Sequence, residues 1–299
     1  MRILVTGSTG FVGRHLLPKL IEAEHEVIEL TIEPEVSNKL YGKTTSKIEV
    51  PKKQTELVAK IEHCKPDIVI HLASYLTPAD DFDTMEKLLS VNIMFFCRLL
   101  DALKKCDLKL FINTGTSAEY FKGDGVFEPA YLYAATKTAS RSFLNYYSMV
   151  YDFKQFTVVP YTIYGDNDTQ KKIIDVIFDS LDSSIPVDLS PGEQVLDFIH
   201  VDDVANFYVY LVDNMEKIEN KANFQLGTGR GTTLKQLARI IEQKSGKKAN
   251  INWGGKPYRP SDVMYAVADT QLQQKLMNNL KLISIEQGVE SYLLKRKTV

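Results

Sequence analysis

Tyr133 and Lys137 stand four residues apart in "YLYAATK", residues 131–137, ahead of a run of small side chains. If "AATKTAS" is helical, the two side chains lie one turn apart on the same face. A phenol has a solution pKa of about 10, and a neighbouring ammonium pushes it toward the ionised form. Such a pair can move protons near neutral pH. Two surface residues that happen to be four apart would look the same, so the spacing needs support from the rest of the chain.

A second candidate lies near the N-terminus. "VTGSTGFVG", residues 5–13, puts Gly7, Gly10 and Gly13 in G-x-x-G-x-x-G spacing at the first strand–helix junction. A dinucleotide loop needs a tight turn, close approach of backbone to pyrophosphate, and close helix–strand packing; glycine serves all three. The helix N-terminus then presents N–H groups to the anion. The expected contact set is Gly7, Thr9, Gly10, Phe11, Val12 and Gly13, with Thr31 at the end of the second strand. In such folds an acid at that strand end holds the adenosine ribose of NAD. Threonine tolerates a 2′-phosphate better, which favours NADP over NAD; Glu33 argues the other way. Arg14 is the arginine nearest in sequence.

These groups need a frame. "RILVTG" reads as a strand covered on both faces, and the next helix has apolar spacing at Val12, Leu16, Leu17, Leu20 and Ile21. "EVIELT", "PDIVIHLAS", "LKLFINTGTS" and "FTVVPYTIYG" read as further strands. "TELVAKIEHCK", the long "FDTMEKLLSVNIMFFCRLLDALKKC" and "YAATKTASRSFLNYYSMVYD" read as the helices between them. The alternation predicts an α/β fold, a Rossmann-type doubly wound parallel sheet. Residues 1–165 form the expected dinucleotide-binding domain, with strands from about 195–227 returning to it. Residues 166–299, where helices and turn-rich stretches such as "NWGGKPYRPSD" intervene, form a smaller C-terminal α/β lobe.

Composition narrows the class. The chain has 299 residues, 44% of them hydrophobic and 25% charged, with a formal net charge of -2, and gives no reason to expect a nucleic acid partner. No apolar run reaches the length of a membrane span. "MRILVTGSTG" runs directly into a strand and turn, unlike a signal peptide. Cys64, Cys97 and Cys106 are odd in number and lack metal-type spacing, which suits reduced thiols in a cytoplasmic protein with no metal.

The motifs together resemble the extended short-chain dehydrogenase/reductases, in particular the NAD-dependent epimerase/dehydratase family acting on nucleotide sugars. They are "TGSTGFVG", "IVIHLAS", "SVNIMFFCRLLDAL", "FINTGTSAEY", "YAATK", "YTIYG", "DFIHVDDVA" and "RPSD", in that order over nearly the whole chain. The resemblance implies that Tyr133 and Lys137 are the acid/base pair and that Thr116 completes a triad, with Ser117 the adjacent alternative. It implies that Asn92 steadies the lysine through its helix. Leu72, Ala73 and Tyr161 match positions lining the cofactor, and Ser74 and Tyr75 fall where cofactor and sugar meet. Arg259 is a candidate ligand for the substrate diphosphate, with Asp262 to orient it. Thr162 stands where the family has an asparagine at the substrate. Pairing of the helices at about 84–106 and 133–152 into a homodimer is a further implication.

Departures from the family pattern bear on the reaction. Dehydratases carry Asp-Glu after the catalytic threonine; Ser117 and Ala118 stand there, so water elimination lacks its acid and base. Val159 and Leu196 replace arginines that commonly meet the diphosphate. "NTGTS", "TIYGD" and "QLGTGRG" look most similar to abequose-, paratose- and fucose-type synthases of bacterial surface polysaccharide pathways. The expectation is an NAD(P)H-dependent reductase of a nucleotide-linked 4-keto-6-deoxyhexose, the alternative a 4-epimerase with tightly bound NAD.

Overall fold

Strand β1 (Arg2–Thr6) carries Ile3, Leu4 and Val5 with no exposed surface, because helices cover it on both faces. In the computed structural model, which describes residues 1–166, 168–277 and 281–296, this strand is internal to a parallel sheet. Helix α1 (Phe11–Glu22), strand β2 (Glu26–Thr31), helix α2 (Pro34–Tyr41), strand β3 (Ser46–Glu49), helix α3 (Gln54–Cys64) and strand β4 (Ile68–His71) follow. Helices α4 (Phe82–Leu88) and α5 (Phe95–Ala102), strand β5 (Leu110–Thr114), helix α6 (Leu132–Tyr151) and strand β6 (Lys154–Pro160) complete this half. Strand β7 (Thr162–Tyr164), helix α7 (Ile173–Ser180), strands β8 (Val187–Leu189) and β9 (Val195–His200) and helix α8 (Val201–Asp213) come next. Strands β10 (Asn223–Leu226) and β11 (Gly231–Thr233), helix α9 (Leu234–Ser245), strands β12 (Ile251–Trp253) and β13 (Tyr265–Ala266), and helices α10 (Gln271–Leu276) and α11 (Ile285–Arg296) end the chain.

The large sheet has the order β10-β6-β5-β4-β1-β2-β3. Winding runs outward from β1 to β3, then restarts at β4 on the other side. That reversal opens a crevice beyond the C-terminal ends of β1 and β4. On one face, Leu16, Leu17 and Leu20 of α1 pack with Phe207, Tyr208 and Leu211 of α8. On the other, Leu57 and Ile61 of α3, Phe96 and Leu99 of α5 and Leu144 of α6 form a second layer. Burying each such side chain contributes about 1.5–3 kcal/mol, so both layers hold the strand ends firmly.

Past β6 the chain builds a third apolar cluster around Tyr164, Ile177, Phe178, Phe198, Leu237 and Ile241. It surrounds a small sheet, β11-β9-β13 with β7 on β9, and a two-stranded pair of β12 with β8. Two details differ from the sequence reading. "FTVVPYTIYG" is not one strand: β6 stops at Pro160, which offers no N–H, and β7 pairs with β9 in the small sheet. Within 195–227, α8 packs on α1 and β10 joins the large sheet beside β6, whereas β9 belongs to the small one. Among the described residues no helix is long and apolar enough to cross a membrane.

Candidate active site

The glycine loop fits a dinucleotide. Gly7 adopts φ +72°, and a Cβ there would lie 2.7 Å from the Ala73 backbone nitrogen, so only glycine lets the loops after β1 and β4 approach this closely. A Cβ on Gly13 would lie 2.4 Å from the Gly7 carbonyl oxygen, the close packing that seats α1 on the loop. Gly10 caps α1 without a side-chain bond, and the first turn holds no acid. Its N–H groups are thus left to an anionic partner, the chemistry a pyrophosphate needs. Tyr41 backs the loop by donating from its hydroxyl to the Ser8 carbonyl at 2.7 Å. Sequence reasoning missed Tyr41 because α2, a helix of only 8 residues, went unassigned.

The crevice beside the loop has a volume of about 830 Å³, and Gly7, Thr9, Gly10, Phe11, Val12 and Gly13 all line it. Thr31 lines it too, as do Leu72, Ala73, Ser74, Tyr133 and Tyr161. Thr31 is buried at this edge, and its hydroxyl accepts the Glu33 N–H at 2.9 Å, which leaves its own proton to donate. The group presented at this rim is the Glu33 carboxylate, which accepts from the Thr9 hydroxyl at 2.7 Å. Arg14 donates from Nε to the Thr9 carbonyl at 2.7 Å.

Deeper in the crevice, the Tyr133 phenol shares a hydrogen bond with the Ser74 side chain, and the Tyr131 ring stacks on it at 6.0 Å. Burial pushes the Tyr133 phenol up, the Ser74 bond pulls it down, and Tyr131 and Glu119 add to the rise. The depression expected from Lys137 is therefore not present in this geometry, where desolvation dominates. Lys137 is 3% exposed, and burial brings its ammonium down to about 8, with Glu119 opposing and Arg141 reinforcing. It lies beneath the crevice wall rather than on it. His71 is pushed well down by burial and by Lys137, and its Nδ1 shares a hydrogen bond with the Thr6 hydroxyl at 2.9 Å.

Thr116 faces the crevice and Ser117 does not. Thr116 caps a single 3₁₀ turn, Ser117–Glu119; its hydroxyl accepts the Ala118 N–H at 3.4 Å, which leaves its own proton to donate. Asn92 is buried away from the crevice, in a π-turn over Leu89–Met94 that interrupts the long helix the sequence suggests. Its amide accepts the Tyr75 N–H at 2.8 Å and donates to the Tyr75 carbonyl at 3.1 Å and to the Thr136 hydroxyl at 2.9 Å. It thus ties the loop after β4 to α6 beside Lys137. The single-turn widening aims it at both.

The substrate-side candidates scatter. Thr162 lines the crevice, whereas Tyr75, held by Asn92 and lying under the Lys87 ammonium at 4.2 Å, does not. Arg259 and Asp262 lie outside it. Asp262 does not orient the guanidinium: its carboxylate accepts the Arg259 backbone N–H at 2.9 Å and closes a turn. Lys172, missed in the sequence, lines the crevice with its ammonium 4.2 Å over the Phe11 ring and 2.7 Å from Asp168. Its place after β7 was hidden by reading that strand as part of β6.

The family model described as NAD dependent epimerase/dehydratase family matches residues 3–227. CDP-abequose synthase of Yersinia pseudotuberculosis is 31% identical over 274 residues, covering 88% of this chain and 91% of that protein. The dTDP-4-dehydro-6-deoxyglucose reductase of Escherichia coli is 25% identical over 272 residues, covering 84% of each. Among solved structures, UDP-glucuronic acid 4-epimerase from Bacillus cereus, in complex with UDP-glucuronic acid and NAD, superposes with a TM-score of 0.88 over 100% of both chains at 21% identity, a likeness of fold. The chain belongs to the NAD-dependent epimerase/dehydratase family.

Proposed function

We propose that the protein reduces a nucleotide-linked 4-keto-6-deoxyhexose to the 4-hydroxy sugar, with Tyr133 as the proton donor. One observation carries this reading: the Tyr133 phenol and Thr116 open into the same crevice as the glycine loop, with Lys137 buried one helical turn beyond the tyrosine. A carbonyl that accepts hydride develops alkoxide charge and needs donors aimed at its oxygen. A nicotinamide held at the glycine loop would supply the hydride. Thr116 holds the oxygen, Tyr133 gives up its proton, Ser74 orients the phenol, and the Lys137 ammonium stabilises the phenolate. Dehydration is disfavoured, since Glu119, the one acid in the Thr116 turn, is committed to Arg141.

The relatives named as CDP-abequose synthase and dTDP-4-dehydro-6-deoxyglucose reductase support a nucleotide-sugar substrate. The lobe from residue 166 onward is proposed to hold its nucleotide, with Thr162 and Lys172 at the sugar end. For the cofactor, Thr31 favoured NADP in the sequence. The Glu33 carboxylate at the rim supports NADH instead, because a carboxylate repels a 2′-phosphate. The same feature favours a second reading, a 4-epimerase that retains NAD. A cytoplasmic homodimer is proposed for the assembly.

The test is oxidation of NADH or NADPH by the purified protein offered dTDP-4-dehydro-6-deoxyglucose and its CDP-linked counterpart. Loss of reduced-nicotinamide absorbance with either sugar supports the reductase. No oxidation, with NAD copurifying and UDP-glucose converted to UDP-galactose, replaces it with the epimerase.

A further inference from the structure

Glu119 has no exposed surface, yet it accepts hydrogen bonds from three directions. Its Oε1 takes the Thr116 backbone N–H at 2.8 Å; its Oε2 takes Arg141 Nε–H at 2.6 Å and the Thr138 hydroxyl at 3.3 Å. Arg141 Nη2 adds a second contact to Oε1 at 3.2 Å, making the pair bidentate. Arg141 also donates to the Asn223 side chain of β10 at 3.0 Å and stacks over Phe127 at 5.1 Å. Gly115 is shaped to this pair: a Cβ there would lie 2.5 Å from Glu119 Oε1 and 2.8 Å from Arg141 Nη2. A buried ion pair adds little net stability, because desolvation offsets the attraction. Cohesion alone does not account for it.

We propose that Glu119 and Arg141 are positioning residues for the reaction, fastening the turn that carries Thr116 to the helix that carries Tyr133 and Lys137 and setting the field at the lysine with their opposed charges. The inference rests on the reductase reading above. The titratable and charged groups around Lys137 are Glu119 from the turn, Arg141 and Tyr133 from α6, and His71 from β4; Tyr208 of α8 faces Tyr133. Glu119 holds the Lys137 proton on and Arg141 helps remove it.

The test uses Glu119→Gln, Arg141→Met and the double variant in the full chain. The Lys137 amine is titrated by NMR in protein labelled at the lysine side chain, and turnover of dTDP-4-dehydro-6-deoxyglucose is followed against pH. Glu119→Gln should move the lysine midpoint and the alkaline limb of turnover down by on the order of one pH unit. Arg141→Met should move both up, and the double variant should bring them back. Should Glu119→Gln fail to fold with its arginine unpaired, the other two still decide the matter. A merely structural pair would lower kcat at every pH with all midpoints unmoved, and that result overturns the proposal. Because the amine titration needs no substrate, it stands or falls apart from the reductase reading, which Tyr133→Phe decides.

Discussion

The Thr9 hydroxyl donates to a Glu33 carboxylate oxygen at 2.7 Å, bridging the glycine loop to the end of β2. The bridge fixes a negative charge at the rim where the adenosine ribose of a dinucleotide would lie. A 2′-phosphate placed there meets like charge; two free hydroxyls meet an acceptor. Glu33→Ala should therefore raise the affinity for NADPH relative to NADH about tenfold, equivalent to about 1.4 kcal/mol. Fluorescence titration with each reduced cofactor measures the ratio. A ratio that stays put would take the discriminating role away from Glu33.

Tyr133→Phe removes one hydroxyl and keeps the ring stacked on Tyr131. The phenol is the only part of this side chain that can give a proton, so turnover of a 4-keto sugar nucleotide should fall by about 10²–10⁴-fold. Cofactor affinity should stay within a few-fold, because the glycine loop does not use the hydroxyl. Stopped assays over long times, with titration of NADH binding in parallel, separate the two. Residual activity near that of the parent protein would mean that another group delivers the proton.

Much of this site was legible in one dimension because glycine and local spacing encode it. Gly7 and Gly13 are where backbone meets backbone, and the four-residue step from Tyr133 to Lys137 is a helical turn whatever surrounds it. What the sequence hid depends on partners far along the chain. Glu119 and Arg141 are 22 residues apart, with no periodicity to link them. Thr31 pointed to NADP by its residue type, whereas the bridge from Thr9 to the Glu33 carboxylate needs the fold. The sign of the effect on Tyr133 was also out of reach, because it turns on burial and not on the nearest cation. The break at Pro160 needed a second sheet for β7 to join.

Lys137 links the site to stability. Its ammonium is held near 8, below the solution value of about 10.4 for lysine. Between these values the unfolded chain binds the proton and the folded chain does not, so stability rises with pH across that window. Below pH 8 both states are charged and the fold bears the whole cost of the buried cation, on the order of a few kcal/mol. Lys137→Met should therefore raise the melting temperature at pH 7 while abolishing turnover. The gap should narrow between about pH 8 and 10, above which tyrosine ionisation intervenes. Calorimetric scans of both proteins across this range check the sign; a variant less stable than its parent at pH 7 would contradict it.

The outer face of α6 bears on assembly. Phe143, Tyr146, Met149 and Val150 are exposed at 41%, 56%, 70% and 48%, on the side opposite Lys137 and Leu144. An apolar stripe this long on one helix suits a second helix better than water. A stable dimer buries about 1,200–2,000 Å² in total, which two long helices from each copy can supply. Light scattering should give twice the chain mass for the parent protein and the single mass for Met149→Arg combined with Phe143→Asp. Because Phe143 and Met149 do not line the crevice, the monomeric variant should still bind NADH. A parent protein that runs as a monomer at micromolar concentration would leave the stripe without this role.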